Sequence, residues 1–391
     1  MMWKITESTL IKQFADNYKS SVEDVFSVFP DVIHKINGSK ILIKPNFWAP
    51  EPTGTGSITD IHLVRAVVET LLDFSPSEVI IGEGSAVGYA FNYEYDTNIV
   101  FKEIGLTDLV KDLPVKLVDL NTDQYVEVKR DDYIVFDRIR IAKHVQDCDL
   151  LINMPVVKTH IRTRSSLSMK NLKGVLMPQD KKRCHKIGLE EGIVDLNNAV
   201  NSDFILIDGI KGIEGVWEYP NDTVDLGVII GSLNPITADR IGTMLMGIDP
   251  DKINTIRLAE QKGISPVESI NEKIFPSHLV KNFKETSDRL QEMFPQTIID
   301  IKEACTGCIG SIVAPLLQQY NKGHGDKFCG RVIIAGDSLN KKRISDYISK
   351  GKKVLLVGDC SKEECAQFAE CDHIPGCPPE WDEVAEFLKK N

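Results

Sequence analysis

The chain has 391 residues, 42% hydrophobic and 26% charged, a mix that excludes disordered, collagen-like and low-complexity classes. Lys and Arg number 46 against 57 Asp and Glu, and the resulting net charge of −11 disfavours nucleic acid and anionic membrane as general partners. No apolar run approaches the ~20 residues of a membrane span. The N-terminus, MMWKITESTL, lacks the apolar core of a secretory signal, so the expected location is cytoplasmic.

In chain order, strands are predicted at Lys40–Ile43, Glu78–Ile81, Lys116–Val118, Asp149–Asn153, Phe204–Ile207 and Gly227–Ile230. They are apolar on successive residues, the pattern of strands covered on both faces. Asp60–Phe74 repeats apolar residues at helical spacing, with Thr59 or Asp60 as N-cap. Pro235–Met246 reads as a second helix, opened by Asn234 and a proline in its first turn. This alternation predicts an α/β fold: a mainly parallel, Rossmann-like sheet with helices on both faces, over residues 1–260. Residues 261–300 are polar, punctuated by Pro266, Pro276 and Pro295, and read as a helical connector. Two further strands, Arg331–Ala335 and Lys353–Val357, each followed by Gly-Asp, mark a smaller α/β unit over 301–391.

Lys158–His185 is a basic island in an acidic chain, with eight Lys or Arg, two histidines and one acid, Asp180. Charge of one sign concentrates anionic ligands, and the island follows a buried strand directly. In open parallel sheets, ligands sit just beyond the carboxyl ends of the strands. A wholly parallel sheet would bring Lys44, Glu83, Lys158, His160, Asp208 and Ser232 to one such edge. The expectation is a site for an anionic small molecule. Lys44, Lys158, Arg162 and Lys170 would anchor its oxygens, with Asn46, Glu83, Asn171 and Asp208 alongside. His160, His185 and Lys158 would be the catalytic groups, the histidines moving protons. Arg162 and Arg164 offer planar forks suited to a carboxylate. The plainer alternatives are a solvated basic loop, hydrogen-bonded structural histidines, and Lys170–Asn171 as ordinary helix surface.

The run Gly82-Glu83-Gly84-Ser85-Ala86-Val87-Gly88 has the spacing GxGxxxG, and the following Tyr89–Asn92 opens no helix pattern, so it is a poor dinucleotide fingerprint. No GxxxxGK[ST], HExxH or GxSxG motif is present.

Seven of nine cysteines lie between Cys305 and Cys377. Cys305 and Cys308 form a CxxC, whose two thiolates can grip one metal centre. Cys360 and Cys377 bracket a helix pattern that would return both to one sheet edge, completing four-fold ligation. Nearby glycines at 307, 310, 358 and 376 allow close backbone approach. The expected metal ligands are Cys305, Cys308, Cys360 and Cys377, holding a 4Fe–4S cluster, with structural zinc or a redox-active CxxC as alternatives. Cys329, Cys365 and Cys371 are further possible ligands.

Seven ordered blocks resemble the family called domain of unknown function 362. They are IKPNF (43–47), ITDIHLVRAVVETL (58–71), INMPVVKTH (152–160), SMKNLKGVL (168–176), His185 with IVDLN (193–197), LIDGIKGIEG (206–215) and NPITADRIGTMLMGIDP (234–250). That family is often fused to ferredoxin-like iron–sulfur modules. The tail, GDC followed by a helix and IPGCPP, is similar to the cluster-binding small subunits of nickel–iron hydrogenases and a related quinone-reductase subunit. That resemblance implies that Cys360 and Cys377, with the CTGC of 305–308, bind a 4Fe–4S cluster.

These readings combine into a cytoplasmic iron–sulfur oxidoreductase acting on an anionic small molecule, with a redox protein as a further partner. The alternatives are a non-redox lyase or isomerase using His/Lys acid–base chemistry, and an electron-transfer or maturation partner with no substrate of its own.

Overall fold

The structure is a computed structural model and describes residues 1–87, 95–216, 222–301, 304, 306–336 and 341–390. The successive apolar residues of the first region become central strands. They are β1 (Met2–Lys4), β2 (Thr9–Gln13), β3 (Lys40–Pro45), β4 (Glu78–Glu83), β5 (Val115–Asp119), β6 (Tyr125–Val128), β7 (Ile139–Ala142), β8 (Leu150–Met154), β9 (Val156–His160), β10 (Arg164–Ser166), β11 (Phe204–Ile213) and β12 (Thr223–Ser232). The main sheet runs β1-β2-β12-β11-β8-β3-β4-β5, with β9 beside β11 and β10 beside β9. From β11 through β8, β3 and β4 to β5 the strands are parallel, whereas β12, β2 and β1 join antiparallel. The fold is therefore α/β with a mainly parallel sheet.

Alternate residues of the same strand enter different cores. Leu42, Ile80, Leu151 and Ile205 belong to one; Ile41, Ile43, Val79, Ile81 and Ile152 belong to the other. Each such side chain contributes about 1.5–3 kcal/mol when fully buried, which is why both faces need helices. The helix Ile61–Leu72 covers one face, and the Asp60 side chain caps it by accepting from His62 N. The helix Pro235–Leu245 covers the other, with Asn234 accepting from Ile236 N and Thr237 N.

The shared-edge expectation needs one correction. β12 is antiparallel to β11, and Ser232 pairs with Ile205 near the start of that strand. Ser232 therefore lies at the opposite end from Asp208, where its hydroxyl meets Thr9 Oγ1 at 2.6 Å. β11 is also longer than its apolar core, continuing through a bulge between Gly209 and Lys211 to Ile213.

The chain divides into two compact units. One holds the described residues of 1–159 and 163–283; the other holds 160–162 and the described residues of 284–391. The segment expected as a connector is thus shared. Lys281 N and Phe283 N bond to Leu245 O and Met246 O in the first unit, and Lys284 begins the second. The second unit has a parallel sheet of β13 (Ile298–Asp300), β14 (Arg331–Ala335), β15 (Lys353–Val357) and β16 (Asp372–Ile374). Val332, Ile334, Val354 and Leu356 pack with Ile344 as its core.

Candidate functional site

Parallel register brings β3 and β8 to a common carboxyl edge, with Lys44 beside Asn153. The island that follows β8 folds back over this edge as a short helix, Ser168–Asn171, and a 3-10 turn, Leu172–Val175. Asp239 fixes that return: its carboxylate accepts from Ser168 N at 2.7 Å, Met169 N at 3.2 Å, and the Ser168 hydroxyl. Burial pushes the Asp239 carboxyl up to about 7. Asn171 then spans the edge, donating to Asn153 Oδ1 at 2.8 Å and to Lys44 O at 3.2 Å, while accepting from Asn46 Nδ2 at 2.8 Å.

Lys44 and Glu83 were expected to face a ligand; instead they are each other's partners. Lys44 Nζ lies 2.7 Å from Glu83 Oε1 and also donates to Pro45 O at 2.7 Å. Glu83 accepts from Phe47 N and Gly84 N, each at 2.8 Å. Burial lowers the Lys44 ammonium pKa, and Glu83 opposes that shift.

Beside this pair lies a group of amines with neutral partners. Lys158 Nζ donates to Asn46 Oδ1 at 2.7 Å and Ser57 O at 3.0 Å, and sits 5.7 Å over the Trp48 ring. Burial lowers its pKa to about 7. Lys181 donates to Gly84 O at 2.7 Å and Asn121 Oδ1 at 2.5 Å, and burial likewise brings it to about 7. Lys173 Nζ is 2.7 Å from His185 Nε2. Burial first, then Lys173 and Lys170, holds His185 well below the usual imidazole range. Lys170, near Ser166 Oγ at 3.4 Å, is shifted well down by burial and then by Lys173 and Lys158.

The remaining predicted residues do other work. Asp208 accepts from Asp60 N at 2.8 Å and Ile210 N at 3.0 Å, anchoring the start of the helix Ile61–Leu72. Burial raises its carboxyl to about 7. Arg162 donates to Ala304 O at 2.9 Å and, like His160, falls in the second unit. His160 Nδ1 accepts from Arg162 N at 3.2 Å. Arg164, taken with Arg162 as a fork, donates to Lys252 O in the first unit. Sequence reasoning missed Lys173, Lys181 and Asp239 as site residues. Both lysines stand inside the island, so only its charge count pointed to them.

In the second unit, Cys305 lies outside the described residues, as do Gly88 and the 89–92 segment of the glycine run. Among the described residues, no three His, Cys, Asp or Glu side chains are grouped to hold a metal ion. Cys308 is buried in the helix Thr306–Asn321, and a Cβ on Gly358 would stand 2.9 Å from its sulfur. The loops after β15 and β16, which carry exposed Cys360 and Cys377, are tied together: Asp359 N donates to Gly376 O, and Gly376 N to Asp359 Oδ1, each at 2.9 Å. Three of the four expected thiols thus stand on segments that meet around Gly358. Cys371 packs against the core of β14 and β15, and Cys329 is exposed.

The mainly parallel sheet with helices on both faces makes this an α/β protein. The model of the family described as domain of unknown function (DUF362) matches residues 41–244, more than half the chain, and the protein belongs to that family. It is 26% identical over 260 residues to the thylakoid-associated protein sll1697 of Synechocystis sp., covering 63% of this chain and 76% of that one. A solved structure, the lactate racemase apoprotein from Thermoanaerobacterium thermosaccharolyticum, shares 13% identity with a TM-score of 0.39, covering 92% of this chain and 85% of that one. No helix among the described residues is long and apolar enough to cross a membrane.

Proposed function

We propose that the protein is an enzyme that binds an anionic small molecule at the carboxyl edge of its main sheet and carries a 4Fe–4S cluster, acting as an oxidoreductase. The observation that supports the reading is the gathering of Lys158, Lys170, Lys173 and Lys181 beside an acid, Glu83, that Lys44 already neutralises. Lys170 and Lys173, half-buried, would bind ligand oxygens. Lys158 and His185 would hold or release protons, because burial brings both toward their neutral forms near pH 7. Cys305, Cys308, Cys360 and Cys377 would hold the cluster, which when bound supplies electrons singly.

The test is iron and acid-labile sulfide content, with an absorption spectrum, on protein purified without oxygen. The expected result is roughly four iron and four sulfide per chain with dithionite-bleachable absorbance. One zinc and no sulfide would overturn the redox part. The second reading, an acid–base lyase or isomerase, would then stand, favoured by the neutral forms of Lys158 and His185.

A further inference from the structure

The described polar partners of Lys158, Lys170, Lys173 and Lys181 are Asn46 Oδ1, Ser57 O, Ser166 Oγ, His185 Nε2, Gly84 O and Asn121 Oδ1. None is a carboxylate, and among the described residues none of the four lysines makes an ion pair. Among the described residues, the acids that act on these four lysines are Glu83, Asp119 and Glu51. Glu83 is engaged by Lys44 and two backbone N–H groups. Asp119 acts on Lys181 and Glu51 on Lys158 through space, and the Cys184 thiol faces Lys170 and Lys173. The contact between Lys173 Nζ and His185 Nε2 adds a geometric constraint: two basic nitrogens 2.7 Å apart share one proton, since one must present its lone pair. The edge is thus rich in proton-accepting nitrogen and short of negative charge.

We propose that the ligand of this edge is an oxyanion carrying two or more negative charges, and that the edge takes up protons from solvent as the ligand binds. The inference rests on the anion-site reading above and deepens it. A negative charge within a few ångströms favours the protonated amine or imidazole. Each proton taken from water or buffer settles on the Lys173–His185 pair or on Lys170 and leaves again when the ligand departs. While its contact is closed the pair carries at most one positive charge, so a dianion draws a further proton to the group more strongly than a monoanion does. By linkage, affinity for the dianion falls as pH rises above neutrality.

The experiment is calorimetric titration of the full chain at pH 7.5 with sulfate, oxalate and acetate, in buffers of low and high ionisation enthalpy. Sulfate and oxalate keep a fixed double charge there, so buffer-dependent heat reports protons gained by the protein alone. The expected result is uptake of roughly one proton per bound dianion, with acetate weaker by about tenfold or more. Sulfate binding tighter than oxalate would indicate a phosphate-type ligand, and the reverse a dicarboxylate; both agree with the proposal. His185→Gln should reduce the uptake, and the wild-type proton count stands if that variant fails to fold. Saturable dianion binding without proton uptake, or acetate binding as tightly, overturns the inference while leaving the anion-site reading. Absence of binding by all three overturns both.

Discussion

Lys44 and Glu83 meet at 2.7 Å with side chains only 1% and 2% exposed, directly beneath the backbone of Gly174. A Cβ on Gly174 would fall 2.1 Å from Glu83 Oε1 and 2.5 Å from Lys44 Cε, so the return of the island over the sheet requires glycine there. The ion pair is therefore a buried joint between β3, β4 and the turn that carries Lys173.

Breaking one half of that joint leaves an uncompensated charge. Lys44→Met or Glu83→Gln should each destabilise the fold by about 3–5 kcal/mol in urea unfolding, and the double replacement Lys44→Met with Glu83→Leu by less than the sum. Gly174→Ala should cost about 1–3 kcal/mol through overpacking. Single variants with near wild-type midpoints would show that the pair is not closed as described.

Lys158 should leave a pH signature. Its amine, near 10.5 when unperturbed, lies at about 7 in the fold. The unfolded chain therefore binds more protons between those values, so this lysine's contribution to stability rises with pH from about 7 to about 10 and is lost as pH falls through about 7. The stability of wild type relative to Lys158→Met should move in favour of wild type across that window by up to a few kcal/mol. A pH-independent difference between the two refutes this.

Asp239 acts at a distance from any ligand by holding the Ser168–Asn171 helix. Asp239→Ala strands two buried backbone N–H groups and the Ser168 hydroxyl, at about 1–3 kcal/mol for each unsatisfied group before relaxation. Hydrogen exchange should accelerate in residues 166–173 more than in β3 or β4. Uniform acceleration would mean that the carboxylate supports the fold generally rather than this segment.

Thiol substitutions should separate the cysteines into two groups. Cys308→Ser, Cys360→Ser and Cys377→Ser should each lower iron retained after anaerobic purification. Cys148→Ser and Cys184→Ser should leave it unchanged, their thiols lying in the first unit and bonded to Val145 O and Leu189 O. Iron loss from the second pair alone would assign the ligands elsewhere.

The parallel strands were legible because burial on both faces writes continuous apolar runs, as in KILI and EVII. The helix caps were legible because Asp60 and Asn234 are short polar side chains ahead of periodic segments. The antiparallel direction of β12 was not, since an apolar run carries no sign of direction. The edge strand β1, its neighbour β2 and the paired strands β6 and β7 are short and partly polar, and local composition does not distinguish them from loops. At the site, position alone could not tell a ligand-facing lysine from one satisfied inside the protein. Lys44 and Lys173 look alike in sequence, yet one has a carboxylate partner and the other an imidazole.

The segment order of the basic island has a consequence for how this protein can diversify. The Lys44–Glu83 joint, the Asn153–Asn171 bridge and the Asp239 clamp hold the scaffold, while Lys170, Lys173, Lys181 and His185 come from three successive short helical segments. Within 170–185, Asn171 and Gly174 belong to the scaffold, and the lysines and His185 stand between and after them. On the proposed reading, exchanging Lys170, Lys173, Lys181 or His185 while Asn171 and Gly174 are kept would retune the edge for a different anion and leave the sheet beneath it intact.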